Sequence, residues 1–267
     1  MADHDRDPQR HLSAAAEAIE SERRKCQAEK TALQQFRSRI RDLSDDATPD
    51  MSVHAGHQGA RRTTGMATTK TGTATQRVGR IQRRIRTAYK ETVMETEAAA
   101  ELEDLPSEHM AAEFGPDIST AVYVSSAPPP NLLTMIAQAT ANLITSRKKV
   151  IRKLDDESSI VDDMGGEVTS IIDEVTSCDS AYPALSFHEL TTYHRRLGEL
   201  KDHCIALAER RQSEFHSKFA GQYSRFEWAE YLYAECQANH PILAAITEVI
   251  EWIDQLRETL SRDIATV

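Results

Sequence analysis

The sequence predicts an all-α protein, an elongated antiparallel helical bundle with coiled-coil-like heptad seams. Its 267 residues include only 10 glycines and 9 prolines, so few positions force a helix to end. Apolar side chains recur at steps of three and four over long stretches, which is the spacing of one face of an α-helix. Hydrophobic residues make up 40% of the chain, which is enough for a buried core between such faces.

Residues 1–45 are predicted to form an N-terminal amphipathic helix. From residue 10 to residue 43 the apolar side chains lie on one seam, which consists of Leu12, Ala15, Ile19, Cys26, Leu33, Phe36, Ile40 and Leu43. Glu22 and Glu29 are the two charged residues that interrupt it. Because a narrow apolar stripe needs a partner helix, we interpret Leu33, Phe36 and Ile40 as candidate interaction residues. The partner is a helix of the same bundle or a second copy of the chain.

Residues 46–75 are predicted to be a flexible linker rich in Thr, Gly and Ala. These three residue types supply 17 of the 29 residues from 47 to 75, and larger apolar side chains are few. Such a composition cannot bury enough apolar surface to order the segment. The remaining residues, 76–267, are predicted to form the helical bundle.

A block of positive charge spans the end of this linker and the start of the next helix. Residues 61–90 contain nine Lys or Arg and no Asp or Glu, whereas the whole chain carries a net charge of −10. Such a block could hold nucleic acid through phosphate contacts, which makes Arg77, Arg80 and Arg84 candidate interaction residues. Alternatively, the arginines pair with carboxylates of neighbouring helices, for example in 155–163. We expect the pairing, and no specific nucleic-acid binding, because no base-reading element or aromatic stacking platform adjoins this helix.

The bundle is predicted to begin with a helix over 76–104 and two short helices over 107–115 and 117–124. A much longer heptad pattern follows over 131–178. The polar residues that interrupt this pattern are Thr140, Arg147 and Glu157. The glycine pair at 165–166 lowers helix stability, so we expect a kink or a break there.

The C-terminal third is predicted to contain three more helices. Residues 186–189 and 224–227 both read Ser-x-x-Glu, the spacing of a capping box that begins a helix. The second of these helices is expected to end near residue 237, and Pro241 opens the last one. Aromatic residues concentrate between 215 and 233, either as the core of a C-terminal subdomain or as a groove for a partner.

Three segments resemble an uncharacterised helical domain family of haloarchaea. They are 89–97 (YKETVMETE), 110–118 (MAAEFGPDI) and 231–246 (YLYAECQANHPILAAI), and the resemblance covers most of the chain outside the linker. It implies an all-helical cytoplasmic protein of a high-salt cell, and it assigns no activity, so no functional residue is carried over. The pI near 5.5 departs from the more acidic proteins usual in such cells, because of the basic block.

The sequence contains no motif of a nucleotide-binding, serine-hydrolase or zinc-protease site, and we assign no catalytic, cofactor-binding or metal-binding residue. A zinc site assembled from two cysteines and two histidines is the alternative, and its ligands would be His203, Cys204, Cys236 and His240. Cys204 falls on a core stripe, however, and the spacing is not that of a zinc knuckle. A buried thiol is therefore the preferred interpretation.

These patterns favour a non-catalytic helical interaction or scaffold protein over an enzyme. Its partner would be another protein, or a second copy bound through the heptad seams. The alternative is a nucleic-acid-associated regulatory factor that uses the basic block 61–90. No transmembrane segment is expected, because the longest uncharged stretch, 118–146, contains three consecutive prolines. The absence of an apolar N-terminal run, together with the family resemblance, predicts a cytoplasmic protein.

Overall fold

A computed structural model describes residues 7–47, 70–182, 186–218 and 225–266. This part of the chain folds into nine α-helices and one 3-10 helix and contains no strand, which confirms the all-α prediction. The helices are α1 (Pro8–Ala47), α2 (Lys70–Lys90), α3 (Glu97–Glu101), α4 (Pro106–Phe114), α5 (Pro116–Tyr123), α6 (Leu132–Ala181), α7 (Phe187–Lys218), α8 (Arg225–Leu232) and α9 (Pro241–Thr266). The 3-10 helix, Val93–Glu95, lies between α2 and α3.

The chain divides into two compact units. Unit 1 consists of Met1–Arg23 and Lys153–Val267, and unit 2 is the intervening Arg24–Arg152. The two longest helices, α1 and α6, contribute residues to both units. The linker predicted over 46–75 lies largely outside the described residues, as does Ser224 of the second predicted capping box.

Unit 1 is built from α7, α8, α9 and the parts of α1 and α6 that belong to it. Glu174 pairs with Arg196 at 2.5 Å, and Glu167 pairs with Arg210 at 2.7 Å. Residue numbers increase along α7 while those of their partners on α6 decrease, so these two helices are antiparallel. The helix α9 packs along α7. The core contains Ile19, Leu154, Met164, Leu197, Tyr233, Ile246 and Ile253.

Unit 2 contains α2 to α5 and the remaining parts of α1 and α6. Arg39 meets Glu91 at 2.5 Å and Asp46 meets Arg84 at 2.9 Å, so α1 and α2 are antiparallel. Aromatic rings fill the core between them. Phe36 contacts Tyr89 edge-on, with 5.4 Å between ring centroids. The core also includes Leu33, Ile40, Ile85, Met110, Phe114, Val122 and Ile136.

The prediction of a single continuous helix over 76–104 is wrong. Its first part, α2, begins earlier, at Lys70, and ends at Lys90. The backbone of Thr92 leaves the helical region at φ −129°, and its hydroxyl bonds to the carbonyl of Ala88 instead. Thr96 then caps α3 by accepting a hydrogen bond from the amide of Ala99. At the break, the amide of Thr92 bonds to the carbonyl of Tyr89 three residues earlier, which is the spacing of a 3-10 helix and not of an α-helix.

The helix α6 has 50 residues and runs through Gly165 and Gly166 without a break. Gly165 is buried against Leu12 of α1, and a Cβ added there would lie 3.8 Å from that side chain. Packing against α1 offsets the roughly 1 kcal/mol that a glycine costs inside a helix. The helix α8 ends at Leu232, five residues before the predicted end.

Candidate functional site

The polar residues that interrupt the predicted seams are engaged inside each unit. In unit 1, Glu157 of α6 forms an ion pair with Arg211 of α7, and each side chain is 3% exposed. The phenol of Tyr233 donates a further hydrogen bond to Glu157 at 2.6 Å. Because this carboxylate is removed from water, its three hydrogen bonds are needed to offset the cost of burying its charge.

Unit 2 contains the corresponding group. Arg147 of α6 lies 2.5 Å from Glu29 of α1 and 3.0 Å from Glu113 of α4. Burial alone lowers the pKa of Arg147, but the carboxylates of Glu113 and Glu29 outweigh it, so the net pKa is raised. These side chains are 21 to 27% exposed, so water reaches this group more than the pair in unit 1.

The remaining interruptions are weaker contacts of the same kind. Glu22 accepts a hydrogen bond from the phenol of Tyr231 at 2.7 Å. The hydroxyl of Thr140, which is fully buried, donates to the carbonyl of Ile136 one turn earlier. All five interruptions that the heptad pattern identified are therefore structural contacts within the units.

A buried hydrogen bond joins Tyr89 and His109 in unit 2. The phenol oxygen lies 2.6 Å from Nδ1 of the imidazole, and both residues belong to the aromatic core. Burial, and to a smaller degree the negative charge of Glu113, raises the pKa of Tyr89 above its ordinary value. The phenol is therefore held as a neutral hydrogen-bonding group.

The candidate interaction residues on α1 lie in the core of unit 2. Leu33 is 2% exposed, and Phe36 and Ile40 are 0% exposed. Phe36 packs against Tyr89 and Phe114, so its partners are rings of the same unit. These three side chains are covered by the chain's own helices.

The candidate residues on α2 lie on the surface, and two of them line a groove of about 500 Å³. We call this surface the basic groove, and its lining residues are Arg39, Asp42, Leu43, Arg80, Arg83, Arg84, Thr87 and Ala88. Arg77 is exposed on α2 and does not line it. The sequence pattern did not indicate Arg39, which comes from α1, because only the antiparallel pairing of α1 and α2 brings it to the arginines of the basic block.

Charges in the groove fall into two classes. Arg39 and Arg84 are engaged, with Glu91 and Asp46 respectively. Arg80 and Arg83 are exposed, and neither has an ion pair or hydrogen bond with any part of the chain that the structure describes. These two guanidinium groups are the available cations of the groove.

Arg84 pairs with a carboxylate of a neighbouring helix, as predicted, but the acidic stretch 155–163 does not supply that carboxylate. Asp155 pairs with Arg23 at 3.0 Å within unit 1, whereas Arg84 uses Asp46 within unit 2. Arg86 instead donates to the carbonyl of Val122. Its guanidinium also lies over the ring of Tyr123, 5.5 Å from the ring centroid. The partners of these arginines are therefore local ones, on helices packed against α2.

Unit 1 has a depression of about 440 Å³ with a different charge pattern. Three carboxylates and one guanidinium line it, and its residues are Ile160, Asp163, Met164, Glu167, Arg210 and Glu214. Arg210 is engaged by Glu167, and this hydrogen bond lowers the pKa of Glu167. This depression therefore contains no available cation of the kind found in the basic groove.

The residues of the alternative zinc site make other contacts. His203 lies 3.3 Å from Glu167, and the thiol of Cys236 contacts the carbonyl oxygen of Ala14 at 3.7 Å. Burial raises the pKa of Cys204 to about 11, so this thiol is protonated at neutral pH. Among the described residues, no group of three His, Cys, Asp or Glu is placed to hold a metal ion.

Comparison with known proteins identifies the family. Residues 10–257 match a domain of unknown function, DUF7260. The chain belongs to the DUF7260 family. No curated protein and no solved structure matches the chain. The prediction of an uncharacterised helical domain family is thus confirmed, and DUF7260 assigns no activity to any residue. None of the described helices of this DUF7260 protein is long and apolar enough to cross a membrane.

Proposed function

We propose that this DUF7260 protein is a non-catalytic helical interaction protein that binds an acidic protein surface in the basic groove. Its haloarchaeal origin and cytoplasmic location stay predictions that rest on the sequence resemblance. The proposal rests on a contrast between charged side chains that have a partner in the described chain and charged side chains that have none. The charged residues in the seams have partners inside the units, whereas Arg80 and Arg83 are exposed cations without one in the described chain.

The lining of the groove favours a protein partner. The exposed lining of the groove is more apolar than polar, although Leu43 and Ala88 are themselves nearly buried, at 4% and 5% exposure, so the aliphatic stems of the arginines contribute to it. Protein interfaces combine an apolar centre with a charged rim, and arginine is enriched in them. A peptide that carries both carboxylates and apolar side chains therefore complements this surface.

A nucleic-acid-associated regulatory factor is the second candidate, because the arginines of α2 could contact phosphates. Two observations weigh against it. Arg39 and Arg84 are already engaged by carboxylates, and Asp42 places a further negative charge in the groove. Binding to duplex DNA that depends on phosphate contacts also weakens steeply as salt rises.

A binding titration separates the two functions. Fluorescence anisotropy would follow a labelled peptide of alternating Glu and Leu, and separately a short labelled duplex DNA, at low and at molar salt. The test variant is Arg80→Glu with Arg83→Glu. The matched control is Lys148→Glu with Lys149→Glu, which makes the same charge change on exposed residues of unit 2 outside the groove.

We expect the peptide to bind the native chain and the control, and the groove variant to lose affinity by about tenfold or more, since like charges then face each other. Peptide binding that is equal in all three proteins contradicts the proposal. DNA binding that exceeds peptide binding and is lost only in the groove variant replaces it with the nucleic-acid function.

A further inference from the structure

We propose that the acidic partner is a second copy of this chain, whose segment 102–105 docks into the basic groove. This inference rests on the proposed function and names its partner. The segment has the sequence Leu-Glu-Asp-Leu and follows α3. We call it the acidic loop.

The acidic loop carries the features that the groove lacks. Leu102 is 61% exposed and Leu105 is 62% exposed, which is unusual for large apolar side chains only three residues apart. Glu103 and Asp104 are exposed, and the described part of the chain provides neither with a cation. Two carboxylates between two leucines complement a groove that has a largely apolar lining and two arginines without a partner in the described chain.

The loop lies away from the groove of its own chain. Glu101, the residue immediately before the loop, is held by Lys25 of α1, with both carboxylate oxygens 2.9 Å from the ammonium nitrogen. The groove begins at Arg39 of the same helix. These two positions on α1 are 14 residues apart, which is about 21 Å at 1.5 Å per residue. The proposed contact therefore joins the loop of one copy to the groove of another.

The contact joins two different surfaces, so each copy presents one groove and one loop. Such a contact closes into a ring or continues as an open chain, and the average mass then rises with concentration. The whole chains repel weakly, since each has a net charge of −10. Because exposed charges are screened at molar salt while apolar contact is not, the leucines keep the contact in place when salt is high.

Sedimentation equilibrium over a concentration series tests the assembly. The variants are the groove pair Arg80→Glu with Arg83→Glu, the loop pair Glu103→Lys with Asp104→Lys, and the apolar pair Leu102→Ser with Leu105→Ser. The control is Lys148→Glu with Lys149→Glu. Circular dichroism checks that each variant keeps its helices.

We expect the native chain and the control to exceed the monomer mass of 29.9 kDa as concentration rises. Each of the three variants should weaken association by about tenfold or more, and mixing the groove pair with the loop pair should restore it, because opposite charges face each other again. A native chain that stays monomeric while the Glu-Leu peptide still binds its groove overturns this inference and leaves the proposed function standing. Association that survives the loop and apolar substitutions also overturns this inference. A native chain that neither associates nor binds the Glu-Leu peptide removes both this inference and the proposed function.

Discussion

Each unit places charged residues on a helix face that is otherwise apolar, and the two units differ in how deeply those charges are buried. In unit 1, Glu157 and Arg211 are each 3% exposed and share their site with a phenol. In unit 2, Arg147 lies between two carboxylates and is 21% exposed. Charges that are removed from water depend wholly on their partners, whereas charges that stay partly hydrated do not. Loss of a charge partner should therefore lower the stability more in unit 1 than in unit 2.

A second difference concerns the surface. The helix α2 of unit 2 has a row of arginines facing outward, and Arg80 and Arg83 have no partner in the described chain. In unit 1, exposed arginines such as Arg196 and Arg210 are held by carboxylates of α6. Binding capacity is therefore expected in unit 2. Both tryptophans belong to unit 1, at positions 228 and 252, so tryptophan fluorescence monitors that unit.

The largest effect is expected from Phe36→Glu. The change removes a ring from the core of unit 2 and places a carboxylate where no cation is available among the described core residues. Loss of the ring alone costs about 3 to 5 kcal/mol, and the buried charge adds to it. Circular dichroism should show loss of helix, while Phe36→Leu should retain the fold. An unchanged melting temperature for Phe36→Glu would mean that this side chain is not packed.

The next effect is expected from Arg211→Ala in unit 1. It leaves the buried carboxylate of Glu157 without its cation, which should lower the free energy of unfolding by about 3 to 5 kcal/mol. Urea unfolding followed by tryptophan fluorescence measures this change. Replacing the whole group, by Glu157→Leu, Arg211→Met and Tyr233→Phe together, should recover most of the loss. Equal stability of the single variant and the native chain would show that the pair is not desolvated.

Arg147→Ala in unit 2 should have a smaller effect, about 1 to 3 kcal/mol, because water can solvate the carboxylates of Glu29 and Glu113 that remain. Urea unfolding followed by circular dichroism measures it. A loss as large as that of Arg211→Ala would remove the distinction between the two units.

Acid should destabilise unit 1 through two residues whose pKa values are lowered. Burial, aided by Arg257, lowers the pKa of His194 below 6.5. Its neutral form is favoured in the fold, so stability decreases as pH falls below that value. Arg210 lowers the pKa of Glu167 below 4.5, and the stability that this carboxylate contributes at neutral pH is lost as pH falls through the lowered value. Tryptophan fluorescence measured against pH should report the loss of stability. The variant Glu167→Gln should lack the part of this loss that occurs below pH 4.5. A native profile that is flat from pH 7 to pH 4 contradicts it.

The smallest effect is expected from Asp46→Asn, which removes the partner of Arg84. Both side chains are more than half exposed, so the pair should contribute about 0 to 1 kcal/mol. Thermal unfolding should be nearly unchanged, and binding of the acidic peptide should increase because a third arginine becomes available. Unchanged or lower peptide affinity would contradict the role given to Arg84 in the binding surface.

Much of the fold could be predicted from periodicity. The seam of α1 is buried nearly as expected, and the starts of α7 and α9 agree with Ser186 and Pro241. The break after Lys90 could not be predicted, because residues 90–97 contain no glycine or proline that would signal the end of a helix. The continuity of α6 at Gly165 depends on its packing against Leu12, which is distant in sequence.

The candidate site was predicted less completely. The sequence identified Arg80 and Arg84 as surface cations but not which of them is available, since that depends on Asp46 of another helix. Arg39 was missed because only the packing of α1 against α2 brings it to the groove. A charge pattern predicts that a helix face is basic, and only the packing of neighbouring helices decides which charges remain unpaired.

We infer that the buried charges serve the packing of each unit, and that the exposed arginines without a partner in the described chain bind the partner protein. The most direct test is the affinity of the Glu-Leu peptide for the variant with Glu157→Leu, Arg211→Met and Tyr233→Phe, measured alongside Arg80→Glu with Arg83→Glu. The first variant removes the buried group of unit 1 and leaves the groove intact. We predict native affinity for the first variant and a loss of about tenfold or more for the second. A folded first variant that no longer binds the peptide, beside a groove variant that binds it normally, would contradict this division of roles.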